Sequence, residues 1–419
     1  MLPRTSSAIA LGINSSLDPF RSACENSGSM PRRVLIMTNA VAAAPDTEPE
    51  AAMLKVLFVT VDGGGNIPPQ LAVARVLQSR GARIHFLGHP GISDRVDAAG
   101  FSFESLFSGG DFEPTRQRSL LRMTADVAKV AIDRRIGAEV VAAAHRYGAD
   151  VVVIDMLLTA TIDEVVAAHV ATVVFVHCFY RQVQNKAAGP VGWLMRARGV
   201  APLGAERSGA LHIVTARRDL DPIHGAPPVH HVGVVWQGVP TASVVMPVPR
   251  ILVSLSTLGF AGQRSMLQRI LDALAPLPVQ ATVTVGPAID ASGVRIPANA
   301  SLHDWLDHDQ VLATASAVVG HGGHSTTMRA LSFGVPVVVL PANPLIDQKL
   351  VGTALQQMGA GILLNKHARA HRIRAAIRAV LQDPGYRDAA GRLGQQIRQR
   401  DGALTAAEAI SQYAMASMS

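Results

Sequence analysis

Two doubly wound α/β domains in tandem are what this sequence predicts, and two features predict them. Runs such as LKVLFVTV, VVVID, TVVFVH, RILVSLST and VPVVVLP are apolar almost throughout instead of alternating, as in strands of a parallel sheet covered by helices on both faces. These runs alternate with helical segments, and the rhythm breaks and restarts once in mid-chain. At 419 residues, 48% hydrophobic and 16% charged, the chain is long enough for two cores rather than one.

In chain order, residues 1–53 are rich in Ala, Ser and Pro without sustained periodicity and are expected to form a disordered N-terminal extension. The segment PRRVLIMTNAVAAAP imitates a signal peptide only loosely, because it begins internally and Thr38 and Asn39 interrupt its apolar part. Met1, Met30 and Met53 are all candidate starts. From Leu54 the strand LKVLFVTV leads through the glycine-rich turn DGGGNIPP into the helix QLAVARVLQSRG, which Gly81 ends, and then into RIHFLG. That order is a right-handed βαβ unit. The helix GAEVVAAAHRYG, the strand VVVID, the helix TIDEVVAAHV and the strand TVVFVH continue a first domain over 54–232. The Gly- and Pro-rich stretch 233–249 reads as a linker, 250–400 as a second doubly wound domain, and 401–419 as a terminal helix. Such domains bind ligands at the carboxyl ends of their strands, here facing a shared cleft.

Composition narrows the function. Two cysteines, Cys24 and Cys178, argue against a disulfide scaffold or a structural zinc and fit a reducing cytoplasm. The longest apolar runs are too short to span a membrane. A net charge of +7 suggests anionic partners, but no basic tail or aromatic series supports nucleic acid. The densest basic segment, residues 115–137, reads as a solvated helical face, with peripheral membrane contact as the alternative.

The most informative stretch is VVGHGGHSTTMRALSFGVPVVVLPANPLIDQ, residues 318–348. A zinc site needs three or four ligands, and only His321 and His324 are present here. An anion site fits the residues better. Gly322 and Gly323 allow close backbone approach, and Ser325, Thr326 and Thr327 read as the cap and first turn of a helix whose N-terminus favours phosphate. A structural turn without a ligand is the remaining alternative.

HGGHSTTMRAL followed by GVPVVVLP and DQ resembles the donor-binding signature of family 1 glycosyltransferases, which have the GT-B fold of two Rossmann-like domains. The resemblance runs from Leu54 to about Leu393 and is most specific in the C-terminal half. It implies that His321, Gly323, Ser325 and Thr326 hold the donor diphosphate, with Ser256 and Thr257 in VSLST nearby. Asp347 and Gln348 would bind sugar hydroxyls, and Trp305 would lie against the nucleotide base, core packing being the alternative for Trp305. The nucleotide sugar would be a co-substrate, with no cofactor and no metal. At the position of the family's frequent ribose-binding glutamate stands Arg329, which cannot accept hydrogen bonds, so a UDP- and a dTDP-sugar both remain open.

The first turn departs from the family more sharply. Where a catalytic histidine is common, this chain has Asn66, and an amide takes no proton at neutral pH. Asp155, at the place of the carboxylate that orients that histidine, is either the base or a structural carboxylate. Asp62 and His177 are further candidates, His177 being equally readable as a wall of the acceptor pocket. The resemblance implies an inverting transfer to the hydroxyl of a small lipophilic acceptor, its pocket built by FSGGDFEP, VHCFYRQVQ and GPVGWLMRARG. The alternative is a catalytically silent GT-B protein that binds a nucleotide sugar or stabilises a partner. The sequence sets no oligomeric state.

Overall fold

The computed structural model describes residues 53–109, 119–203, 209–236, 238–255 and 258–419. The expected extension over 1–53, apart from Met53, and the Ser256–Thr257 turn lie outside the described residues. Residues 51–419 cluster as one compact unit holding two parallel sheets.

The first sheet consists of β1 (Lys55–Thr60), β2 (Arg83–Gly88), β3 (Ser102–Ser105), β4 (Val151–Asp155), β5 (Thr172–Val176), β6 (Ala210–Val214) and β7 (Val229–His231). Their order is β3-β2-β1-β4-β5-β6-β7. The second sheet consists of β8 (Arg250–Ser254), β9 (Gln280–Thr284), β10 (Ala300–His303), β11 (Ala317–Gly320), β12 (Val337–Val339) and β13 (Gly361–Leu363), in the order β10-β9-β8-β11-β12-β13. Strands β4 and β5 are buried along their whole length, as sheet positions covered on both faces must be. In each sheet the order reverses beside the first strand, between β1 and β4 and between β8 and β11. Crevices form at such switch points because the connections leave in opposite directions. The first crevice is bounded by Thr60 and Asp155, the second by Ser254 and Gly320.

The stretch 232–249 contains no helix or strand among its described residues. The terminal helix, Gly402–Met418, packs on the first domain against the helix Ile67–Ser79. Asp401 caps it, accepting from the N–H groups of Ala403 (2.8 Å) and Leu404 (3.3 Å). Its buried face is Ala403, Ala406, Ala407, Ile410 and Ala414, and the four alanines let the two helices come close. No helix among the described residues is long and apolar enough to cross a membrane.

Candidate active site in the interdomain cleft

On the first domain, β1 delivers the chain into the glycine turn and then into the helix Ile67–Ser79, with Pro68 in its first turn. Asn66 is the N-cap residue but spends no side-chain bond on capping. Its Oδ1 accepts from Gly63 N–H at 2.9 Å, and its Nδ2 donates to Val61 O at 2.8 Å and to Asp155 Oδ2 at 2.7 Å. One turn on, Gln70 Nε2 also donates to Asp155 Oδ2, at 2.9 Å. Asp155 Oδ1 accepts from Leu157 N–H at 2.9 Å, and the carboxylate is fully buried. The amide at position 66 therefore fixes the turn to the end of β4. Asp62 is occupied as well, by Arg95 at 2.5 Å and by Gly64 N–H at 2.9 Å.

His177 follows β5, the strand next to β4. Its Nδ1 lies 3.4 Å from Asp155 Oδ2 and is buried without a hydrogen bond of good geometry. The ring forms part of the wall of a cavity of about 220 Å³ between the domains. Apolar walls come from Val127, Met156, Val183 and Leu194 on one side and from Leu345 and Ile346 on the other. Lys186 also lines it; burial lowers its pKa, against the raising influence of Cys178 and Asp347.

The basic segment does more than face solvent. Its helix Leu120–Ile132 brings Met123, Val127 and Ala131 to the cavity, an i, i+4, i+8 stripe already present in the sequence. Of the loops expected to build the pocket, those around His177–Val183 and Val191–Met195 line it, whereas Phe107 is exposed. Residues 110–114 of the third loop lie outside the described residues.

On the second domain, the pairing of Gly320 with Ser254 aims the chain after β11 into the cleft. Two glycines are needed there. Gly322 has φ +80° and a Cβ on it would meet Val339 Cγ1 at 2.6 Å; one on Gly323 would meet His321 Nε2 at 2.5 Å. The helix runs His324–Ser332 with Gly323 as its N-cap, two positions earlier than a Ser325 cap requires. The reason is His324, the first helical residue, whose ring is held on both sides. Its Nε2 lies 3.2 Å from Thr215 O on the first domain, and its Nδ1 lies 3.2 Å from Asp347 Oδ2. Ser325 is thereby left exposed and Thr326 half-buried, beside first-turn N–H groups that have no intrahelical partners. A Cβ built on Gly65 would come within 3.9 Å of Ser325 Cβ, so the glycine turn of one domain faces the helix end of the other.

The two histidines titrate in opposite senses. Burial pulls the His321 imidazole down to about 4, against small raising contributions from the Ser254 backbone and Asp347. It is therefore neutral near pH 7 and keeps one N–H to donate. Burial also pushes His324 down, but the Asp347 carboxylate, the Thr215 carbonyl and Asp221 outweigh it and the net shift is upward. For His321 the unfolded chain binds the proton more readily, so its contribution to stability is lost as pH falls from 6.5 towards about 4. The size is about 3 kcal/mol. His321→Asn should remove this acid-sensitive increment in urea unfolding followed from pH 7 to pH 4; an unchanged pH profile would contradict the burial argument.

Asp347 and Gln348 stand where the resemblance places a sugar clamp, yet each is only 1% exposed. Asp347 Oδ2 accepts from Phe179 N–H of the first domain at 2.9 Å, beside His324. Gln348 Oε1 accepts from Ala342 N–H (2.7 Å) and Asn343 N–H (2.9 Å), the loop donors nearest to it. Trp305 is 79% exposed, which rules out the core-packing alternative. Arg329 forms a two-pronged ion pair with Asp309 of the helix His308–Leu312. Asp309 and His324 are the residues that the sequence reading did not place in the site. Among the described residues, no three His, Cys, Asp or Glu side chains converge as metal ligands would.

Two doubly wound parallel-sheet domains sharing a cleft define the GT-B architecture. Residues 268–403 match the family described as Erythromycin biosynthesis protein CIII-like, C-terminal domain. The chain is 35% identical over 217 residues to a PGL/p-HBAD biosynthesis glycosyltransferase of Mycobacterium tuberculosis, covering 49% of this chain and 50% of that one. It thus spans about half the length of the curated relatives it matches. Among solved structures, CalG4, the calicheamicin glycosyltransferase, aligns with a TM-score of 0.68 at 21% identity over 86% of this chain and 98% of its own. The spinosyn rhamnosyltransferase SpnG complexed with thymidine diphosphate aligns with a TM-score of 0.64 at 19% identity, over 85% of this chain and 100% of its own. Residues 268–403 thus carry a domain of that family, and the chain as a whole has the GT-B fold of these glycosyltransferase structures.

Proposed function

We propose that the protein transfers a hexose from a UDP- or dTDP-sugar to a hydroxyl of a small lipophilic acceptor, with inversion and without a divalent metal. The observation that carries this reading is the apolar cavity between the domains, with His177 on its wall and the Ser325 helix end across the cleft from the glycine turn. The cavity suits a lipophilic acceptor. The helix end suits a diphosphate, and the orphaned Nδ1 of His321 supplies an imidazole position for a phosphate oxygen. As the anomeric bond breaks, these donors take up the charge of the leaving diphosphate, the role a metal has in other sugar transferases. Asp347 and Gln348 would hold the sugar once the cleft opens, and Trp305 offers an exposed face to the base.

The Arg329–Asp309 pair leaves its carboxylate occupied, which weakens the case for a ribose clamp and favours a thymidine donor. The spinosyn relative solved with thymidine diphosphate agrees with that preference. The silent-protein reading is favoured by one observation, the full engagement of Asn66 with its own turn. Calorimetric titration with UDP, dTDP, GDP and ADP in the presence of chelator separates the two. Binding of dTDP or UDP is expected, and Trp305→Ala should weaken it by about 1–3 kcal/mol, roughly 5- to 150-fold. Binding of none of the four nucleotides would overturn the donor site.

A further inference from the structure

We propose that the general base is His177, positioned by Asp155, so that the proton acceptor has moved from the first turn to the end of β5. This rests on the transfer reading and names the residue that makes it work. The other candidates are excluded by their own bonds. Asn66 is a fully buried amide with both ends engaged, and Asp62 is held by Arg95 and Gly64 N–H. Asp155 is fully buried, with Oδ2 accepting two amide N–H groups and Oδ1 a backbone N–H, so no acceptor hydroxyl can reach it.

His177 has the opposite disposition. Its Nδ1 is buried 3.4 Å from Asp155 Oδ2, while the ring lines the cavity. A carboxylate behind Nδ1 favours the tautomer with its proton there, which leaves Nε2 free to accept, and it stabilises the imidazolium that results. The strand end also lies beside the donor domain, because Phe179, two residues on, gives its N–H to Asp347 at 2.9 Å. The step balances within the reactants. The acceptor hydroxyl gives its proton to His177 Nε2, its oxygen forms the bond to the anomeric carbon, and the bond from that carbon to the diphosphate oxygen breaks with its electron pair. The proton then passes to solvent.

Besides Asp155, the titratable groups around His177 are Cys178 beside it and Asp126 and Lys186 on the cavity wall, with Asp347 beyond Phe179. Lys186, whose pKa is lowered, is the rival base. The test uses the full chain with whichever of dTDP-glucose or UDP-glucose it binds, and two acceptor probes: 4-butylphenol, neutral at pH 7.5, and 4-nitrophenol, largely ionised there. His177→Gln should lower transfer to 4-butylphenol by about 10²–10⁴-fold, while transfer to 4-nitrophenol, which needs no base, changes by about tenfold or less. The rise of the 4-butylphenol rate with pH should vanish in His177→Gln and persist in Lys186→Met. Asp155→Asn should lower transfer to 4-butylphenol more than transfer to 4-nitrophenol, a split that loss of fold alone does not produce. Equal losses on both phenols, or loss of the pH dependence in Lys186→Met instead, would overturn the assignment. Wild-type protein that binds nucleotide but glycosylates neither phenol would overturn the transfer reading itself, and the base with it.

Discussion

Asp155→Ala is expected to destabilise the protein by about 3 kcal/mol or more, the largest stability effect of a single substitution in the cleft. Three donors lose their acceptor at once: Asn66 Nδ2, Gln70 Nε2 and Leu157 N–H. A buried donor left unpaired costs about 1–3 kcal/mol. Two effects moderate the sum. Water can enter the space left by the carboxylate, and the cost of burying a charge disappears with it. Asn66 also keeps Val61 O as an acceptor, and Gln70 keeps Thr60 Oγ1. Asp155→Asn retains the volume and one acceptor oxygen, so its cost should be clearly smaller. The measurement is a pair of urea unfolding curves at pH 7.5, read at constant slope. A loss below about 1 kcal/mol for the alanine variant would mean that this network contributes little to stability in solution.

On the donor side, the largest expected effect on activity belongs to Asp347→Ala. Transfer should fall by about 10²-fold or more, as when a preorganised group at a reacting centre is removed, while nucleoside-diphosphate affinity stays nearly unchanged. The affinity is spared because His324 keeps the Thr215 carbonyl and with it the helix end, and His321 lies on another element. The same substitution carries a pH signature. Asp347 is what lifts the buried His324 above its ordinary value of 6.5, so the stability it contributes through His324 is fully present below that pH and lost as pH rises through the elevated pKa. The destabilisation by Asp347→Ala should therefore be larger at pH 6 than at pH 9. A cost that is the same at both values would argue against the His324–Asp347 pair, and a parallel loss of transfer and nucleotide affinity would refute the sugar role.

The sequence by itself determined the architecture and the glycine turn that follows β11. Strands β1, β4, β5, β8 and β12 are legible because strands buried on both faces are apolar residue by residue, a property each run carries locally. The turn after β11 is legible for the same reason: Gly322, Gly323 and the residues they free are contiguous. Edge strands such as β3, β7 and β10, three or four residues long and partly exposed, give no comparable pattern. Only the tertiary structure decided which groups are free to act. Asp155 and Asn66 are 89 positions apart, Phe179 and Asp347 168 positions apart, and no local pattern foretells that these bonds saturate one carboxylate and bury another. The same holds for the packing of Gly402–Met418 on the first domain and for His177, whose role depends on the carboxylate of the adjacent strand. Backbone conformation and burial period are written into neighbouring residues; the commitment of a polar atom depends on which distant partner reaches it first.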